Sequence, residues 1–264
     1  MLLAVPARAQ YRPRPLNDPA TGETYHIEVG AGYWMPTADM IVSSESLGIP
    51  GTSIDFTKDL GLTNSRFPEF QLVLRPAKRH KFRAESIPIK YDTTAILTRD
   101  LIFNGIKYRI GLPVTSSLDW KAYRFGYEYD FVSRNRGFAG LILEAKYTDV
   151  TVQLSTPPSA VLPGGLLEYA HARAPIPAIG GIARVYVIPN ISITGEITGF
   201  TVPSSVSADY NAHYADIDVY GTLNLTNNVG VKAGYRSLDV GYVVKSDTGS
   251  FVLRGLYFGA VLRY

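Results

Sequence analysis

The stretch "DWKAYRFGYEYDF", residues 119–131, alternates with a period of two from Tyr123 onward. Tyr123, Phe125, Tyr127, Tyr129 and Phe131 take the odd positions, and Arg124, Gly126, Glu128 and Asp130 the even ones. Successive side chains of a β-strand point to opposite faces, so the segment has one oily face and one ionic face. A soluble sandwich would turn the oily face inward. Two features point the other way. The oily face is built from tyrosine and phenylalanine, which suit a girdle at a lipid–water boundary. The ionic face mixes glycine with charges of both signs, as a narrow barrel lumen needs.

The same period recurs along the chain. "YHIEVGAGYWM" (25–35) sets Tyr25, Ile27, Val29, Ala31, Tyr33 and Met35 against His26, Glu28, Gly30, Gly32 and Trp34. "GLILEAKYT" (140–148), "ISITGEITG" (191–199) and "YADIDVYGTL" (214–223) repeat it. Composition agrees: 18 Tyr, 24 Gly, 4 His and no Cys, with 46% hydrophobic residues. No run approaches the ~18 apolar residues of a membrane-spanning helix. The absence of cysteine removes disulfides and thiolate chemistry. A formal charge of +3 is too small to imply nucleic acid.

Turn spacing predicts the strand count. Tight polar turns at 76–80, 133–137, 188–190 and 225–228 alternate with longer links. That is the rhythm of short periplasmic turns and long outer loops. It predicts one all-β domain over 24–264, a closed antiparallel up-and-down transmembrane β-barrel of about ten strands, with eight or twelve as alternatives. The strands are expected at 24–37, 66–76, 80–93, 117–133, 137–153, 166–187, 191–202, 212–225, 228–244 and 250–264. Asn104-Gly105, a strong hairpin signal, is expected to join the third and fourth strands beyond the membrane. Pro88 and Pro113 should mark bulges or edge-like breaks there, and Pro175 and Pro177 pose the same problem in the sixth strand. Residues 1–9 read as a signal-peptide remnant, with Ala7-Arg8-Ala9 as the cleavage pattern. Residues 10–23 read as a periplasmic leader without structure.

The end of the chain, "YFGAVLRY", resembles the C-terminal assembly signal of bacterial outer-membrane β-barrel proteins. Tyr257, Gly259, Leu262 and Tyr264 fill its places in order, with Leu262 where an aromatic is more usual and Tyr264 where Phe is commoner. The resemblance implies a Gram-negative outer-membrane location. Its implied partners are outer-membrane lipid and lipopolysaccharide, and the barrel-assembly machinery during insertion. It extends over the whole barrel as architecture and singles out no particular family within that broad group.

The inward-facing ionisable residues form a nearly balanced set. The carboxylates are Glu28, Glu69, Glu85, Glu128, Asp130, Glu144, Glu196, Asp216 and Asp218. The cations are Arg75, Arg83, Arg124, Lys146, Arg184, Lys232, Arg236 and Arg263. Charge buried in so narrow a bore must be paired, which predicts a cross-strand ion-pair network plugging the lumen. A porin-like conduit or small-solute site is the sharper alternative, although balanced signs argue against an ion-selective ring. Ten strands also invite comparison with the omptins, outer-membrane proteases that use an Asp–His pair at the rim. Asp209, His213, Asp216 and Asp218 lie near such a rim, but the Asp-x-His spacing is absent. A lipid A hydrolase built on His171 and Ser207 has no supporting spacing either. No metal-ligand cluster, phosphate loop or nucleophile elbow is present. The expectation is a structural or binding barrel or one allowing limited passive diffusion, with no catalytic residue, metal or cofactor.

Overall fold

A computed structural model describes residues 18–46, 48–158, 164–202 and 210–264, with Tyr210 described by its backbone alone. The signal-peptide remnant, residues 10–17 of the leader, and Ser207 and Asp209 lie outside the described residues. Ten long strands form the wall: β1 (Ile27–Ser43), β3 (Phe67–Ala77), β4 (His80–Ile96), β7 (Pro113–Arg134), β8 (Gly137–Thr156), β9 (Leu166–Ile188), β10 (Ile191–Val202), β11 (Tyr210–Asn224), β12 (Val229–Val244) and β13 (Asp247–Arg263). Each pairs antiparallel with its neighbours in sequence, and β13 returns to pair with β1 from Glu28↔Arg263 to Ser43↔Thr248. The sheet is therefore closed, which removes the edges that would otherwise template aggregation. At the seam Tyr264 accepts hydrogen bonds from the amides of His26 and Ile27 and donates to the Ile27 carbonyl. Three short strands complete the set: β2 (Ile54–Asp55) beside β1, and β5 (Leu101–Phe103) with β6 (Ile106–Tyr108) as a separate hairpin.

Apart from irregularities near the short turns, at Leu74/Ala77, Asp130/Val132 and Ile191/Ser192, each strand keeps its parity, but its polarity reverses part-way up. On β8 the outward residues run Leu141, Leu143, Ala145, Tyr147 and then Asp149, Thr151, Gln153, Ser155. The inward ones run Glu144, Lys146 and then Val150, Val152, Leu154. On β7 the change falls at Tyr123: Lys121, Asp119 and Ser117 lie outward above it, with Trp120 and Leu118 inward. On β13 it falls between Leu256 and Arg254. The barrel thus has two storeys. The lower is apolar outside and ionic inside; the upper is polar outside and apolar inside, as in a water-soluble barrel. The expected rule of oily out and ionic in holds for the lower storey only. Outward Tyr123 to Phe131, at about 3.4 Å per residue and a tilt of ~40°, gives a band roughly 20 Å tall, close to the ~25 Å that a thin outer membrane covers.

The upper storey is closed from above by chain that the sequence reading placed elsewhere. Asn104 and Gly105 do form a hairpin turn, with φ of 48° and 81°, as a two-residue turn of this hand requires. Yet β4 and β7 do not run on to meet there. The hairpin forms its own sheet, and Leu101, Phe103 and Tyr108 pack within the apolar cluster that holds Trp34, Leu118 and Trp120. Phe56, Leu60 and Leu62 from the β1–β3 link join them. Each such burial contributes about 1.5–3 kcal/mol, more than an extended ribbon in water could offer. The last outer link also differs: "KSDTGS" is a two-residue turn through Lys245, φ 56°, and β13 starts at Asp247.

Proline positions follow from pairing. β3 accompanies β4 only as far as Phe70↔Ser86, so Pro88 sits where that side of β4 has no strand partner. Pro113 is the first residue of β7. Neither position carries a bulge; both are edge positions, where a missing N–H is tolerated.

Candidate functional site

The lower lumen is crossed by ion pairs in three groups. At its centre Arg124 reaches from β7 to Glu85 (3.3 Å), Glu144, Glu196 and Asp216 (3.6 Å). Arg236 on β12 binds Asp216 (2.7 Å) and Glu85 (2.5 Å). Lys146 on β8 binds Asp216 (3.1 Å) and Glu144 (3.2 Å) and donates to Thr198. Arg83 links Glu196 (2.7 Å) to Glu128 (3.2 Å). Contacts between β8 and β11, or β4 and β12, span the bore rather than run along the wall. The second group is Lys81 with Glu128 (2.5 Å) and Asp130 (2.9 Å), with the Lys81 ammonium 3.4 Å from the Phe138 ring centre. The third lies toward the short turns, where Arg263 binds Glu28 (2.5 Å) and Lys232 binds Glu69 (3.1 Å).

Asp218 stands apart from these ion pairs. It takes hydrogen bonds from the Tyr257 hydroxyl at 2.9 and 3.0 Å, and no Lys or Arg among the described residues makes a salt bridge to it. Tyr257, assigned to the assembly signal, therefore also serves the lumen; Leu262 and Tyr264 of that signal face outward. Arg75 and Arg184 bind neither each other nor the central group. Both hold Glu23, at 3.3 and 3.6 Å.

Glu23 belongs to the stretch expected to be unstructured. Residues 18–23 instead run beneath the barrel as a strap tied to the turns. The Ala20 amide donates to Asn135 O, the Thr21 amide to Pro189 O and the Gly22 amide to Asn227 Oδ1. Asn224 Nδ2 donates to Thr21 O, and the Tyr186 hydroxyl to Glu23 (2.9 Å). Gly22 has φ 78°, and a Cβ there would meet Arg263 at 2.7 Å, so this close pass needs glycine. Proline and charge suggested disorder. Turn carbonyls at Asn135 and Pro189 and the amide side chains of Asn224 and Asn227 at a third turn, all at one end of the barrel, hold any chain that satisfies them.

Lys81 was the other omission, although its parity with Arg83 and Glu85 marks it as inward.

Outside the lumen, the cap is tied by Arg99, which binds Asp59 at 2.6 and 2.8 Å and the Ser53 carbonyl at 2.6 Å. The Arg99 hydrogen bond holds the Asp59 carboxyl below its ordinary range. The Tyr108 hydroxyl donates to Leu154 O (3.2 Å), and Asn104 Nδ2 to Glu168 Oε1 (2.6 Å).

Among the described residues, the rim candidates for an active site are not brought together. His213 faces outward and pairs with Asp239 at 3.1 Å. Asp216 faces the lumen and Asp218 is inward with it, so the wall separates them from His213. His171 is likewise on the outer surface, with Asp149 (2.8 Å) and Arg173. Among the described residues no group of His, Asp and Glu could hold a metal.

A closed ten-strand up-and-down barrel has a counterpart among solved structures. The outer membrane protease OmpT of Escherichia coli superposes with a TM-score of 0.59 at 9% identity, covering 90% of this chain and 96% of that one. The fold is that of the outer-membrane β-barrels. The toluene transporter TodX of Pseudomonas putida (TM-score 0.39, 9% identity, 94% and 93% covered) and Ail of Yersinia pestis (0.37, 10%, 90% and 97%) are more distant. No protein-family model matches the chain, and no curated protein matches it by sequence.

Proposed function

We propose that this protein resides in the outer membrane of a Gram-negative bacterium as an axially sealed, non-enzymatic barrel with a structural or binding role. The observation that carries this reading is the triple closure of one bore. The strap on Glu23 lies across the lower end, the Arg124–Glu144–Glu196–Asp216 network fills the middle, and the Leu101–Phe103–Tyr108 cap fills the top. Mutual neutralisation of the lumen charges supports a plug over an ion-selective pore, which would carry rings of one sign along its axis. Lipid and lipopolysaccharide would meet the outward band, and the assembly machinery would read Tyr257, Gly259, Leu262 and Tyr264. The separation of His213 from Asp216 by the barrel wall supports a non-catalytic role. In planar bilayers the purified protein is expected to be silent. Steady unitary openings, persisting after repurification, would replace the plug with a diffusion channel.

A further inference from the structure

The strap beneath the barrel is rooted on β1, one of the two strands of the closing seam. Its anchors lie on both sides of that seam. Gly22, five residues before Ile27, donates from its amide to Asn227 Oδ1 in the β11–β12 turn at 3.1 Å. Thr21 O accepts from Asn224 Nδ2, at the end of β11, at 2.7 Å. The Thr21 and Ala20 amides reach on to Pro189 O and Asn135 O, in the β9–β10 and β7–β8 turns. On the β3 side Glu23 holds Arg75.

Reach decides when these bonds can form. Without the β13–β1 pairing the sheet is open, and the way from β1 to β11 runs through β3, β4, β7, β8, β9 and β10. Seven strand spacings of ~4.8 Å make that distance about 34 Å. Five residues of fully extended chain span at most ~18 Å. Across the closed seam β11 is three spacings from β1, about 14 Å. The bonds of Gly22 and Thr21 to the β11–β12 end therefore belong to the closed barrel alone.

Side chains carry the strap into the seam itself. Arg263 of β13 binds Glu28 of β1 at 2.5 Å and donates to Asn224 Oδ1 at 2.7 Å. Asn224 donates in turn to Thr21 O. One relay thus joins β1, β13, β11 and the strap. Arg75 and Arg184 are buried, and Glu23 is the one carboxylate among the described residues that forms a salt bridge with either. Lifting the strap strands both guanidiniums, and a buried charge without a partner is costly. Peeling β1 from β13 at this end also draws the root of the strap away from the β11–β12 turn, so the seam cannot open with the strap in place.

We propose that the strap is a closure latch: it docks only after β1 has met β13, and it then holds that seam against opening. The latch goes beyond sealing the bore and holds whether or not the barrel conducts.

Refolding and unfolding rates in detergent micelles test it. Asn227→Ala removes one anchor from an exposed turn and leaves every ion pair in place. Glu23→Gln removes the carboxylate. Each variant is expected to unfold several-fold faster than the parent and to refold within about twofold of its rate, because a contact made after the transition state acts on unfolding alone. Any late contact would do the same, so the seam is also stapled. Ala31→Cys and Ala260→Cys, outward partners on β1 and β13, are bridged in the folded protein by a short, membrane-permeant bifunctional thiol reagent. On the stapled barrel Asn227→Ala should no longer speed unfolding. An unfolding rate unchanged in either variant overturns the latch. So does refolding slowed as much as unfolding is sped, or an undiminished effect of Asn227→Ala once the seam is stapled.

Discussion

Arg124→Met is expected to lower the unfolding free energy by about 3–5 kcal/mol, because removing one partner strands buried charge. Four carboxylates lean on this guanidinium: Glu85, Glu144, Glu196 and Asp216. Without it they share three cations, Arg83, Lys146 and Arg236, of which Arg83 is also engaged by Glu128. Methionine preserves length and apolar volume, so lost packing contributes little. Lys232→Met is the internal comparison, since its ammonium binds one carboxylate, Glu69, and the Gln71 amide. It should cost clearly less. Denaturant unfolding in detergent micelles or vesicles measures both. A loss under ~1 kcal/mol for Arg124→Met would mean that the lumen is wet enough to solvate its own charges. The network is not thereby a net source of stability; a well-packed apolar plug of the same volume could do as well. Its effect is to close the bore without leaving a charge unpaired.

Two arginines introduced on one face of one strand separate the storeys. Leu143 and Gln153 both point outward on β8, ten residues apart. Leu143 stands opposite Tyr127, in the middle of the apolar band, and Gln153 opposite Ser117, above it. Leu143→Arg is expected to cost about 2–4 kcal/mol, the penalty of a cation at the bilayer midplane of a barrel. Gln153→Arg should stay within roughly 0.5 kcal/mol, as for an ordinary wet surface site. In a water-soluble barrel the two substitutions would cost about the same. The contrast is best read in lipid vesicles, because detergent allows the arginine head to snorkel.

Strand parity was legible throughout the sequence. Tyr123 to Phe131 and Leu141 to Tyr147 face outward, and the ten strands close in chain order, because alternation and turn length are local properties. The reversal of polarity was also written in the sequence, in Ala122-Lys121-Trp120-Asp119 on β7 and Asp149-Val150-Thr151-Val152 on β8. A single rule of oily out and ionic in, taken over the full length of a strand, hides it. Trp34 is the clearest instance: its place on the glycine- and charge-bearing face marked it as inward, but not as the start of an apolar core. The identities of the lumen ions followed from parity, with Lys81 overlooked. Which ion meets which did not, because Arg124 on β7 reaches Asp216 on β11 through tilt and side-chain length that no spacing reveals. The strap at Glu23 and the inward-folded Leu101–Tyr108 hairpin are long-range dockings, and nothing in their own residues announces the surface they meet.

The most direct test of the two-storey barrel uses the absence of natural cysteine. Single cysteines are placed at the outward positions of β8, from Leu141 through Leu143, Ala145, Tyr147, Asp149, Thr151 and Gln153 to Ser155, and each variant in lipid vesicles is exposed to a membrane-impermeant maleimide. The first four should resist labelling and the last four should react readily, with the step between Tyr147 and Asp149. Uniform labelling along the strand would place this face in water over its whole length, and the chain would then not be a membrane protein.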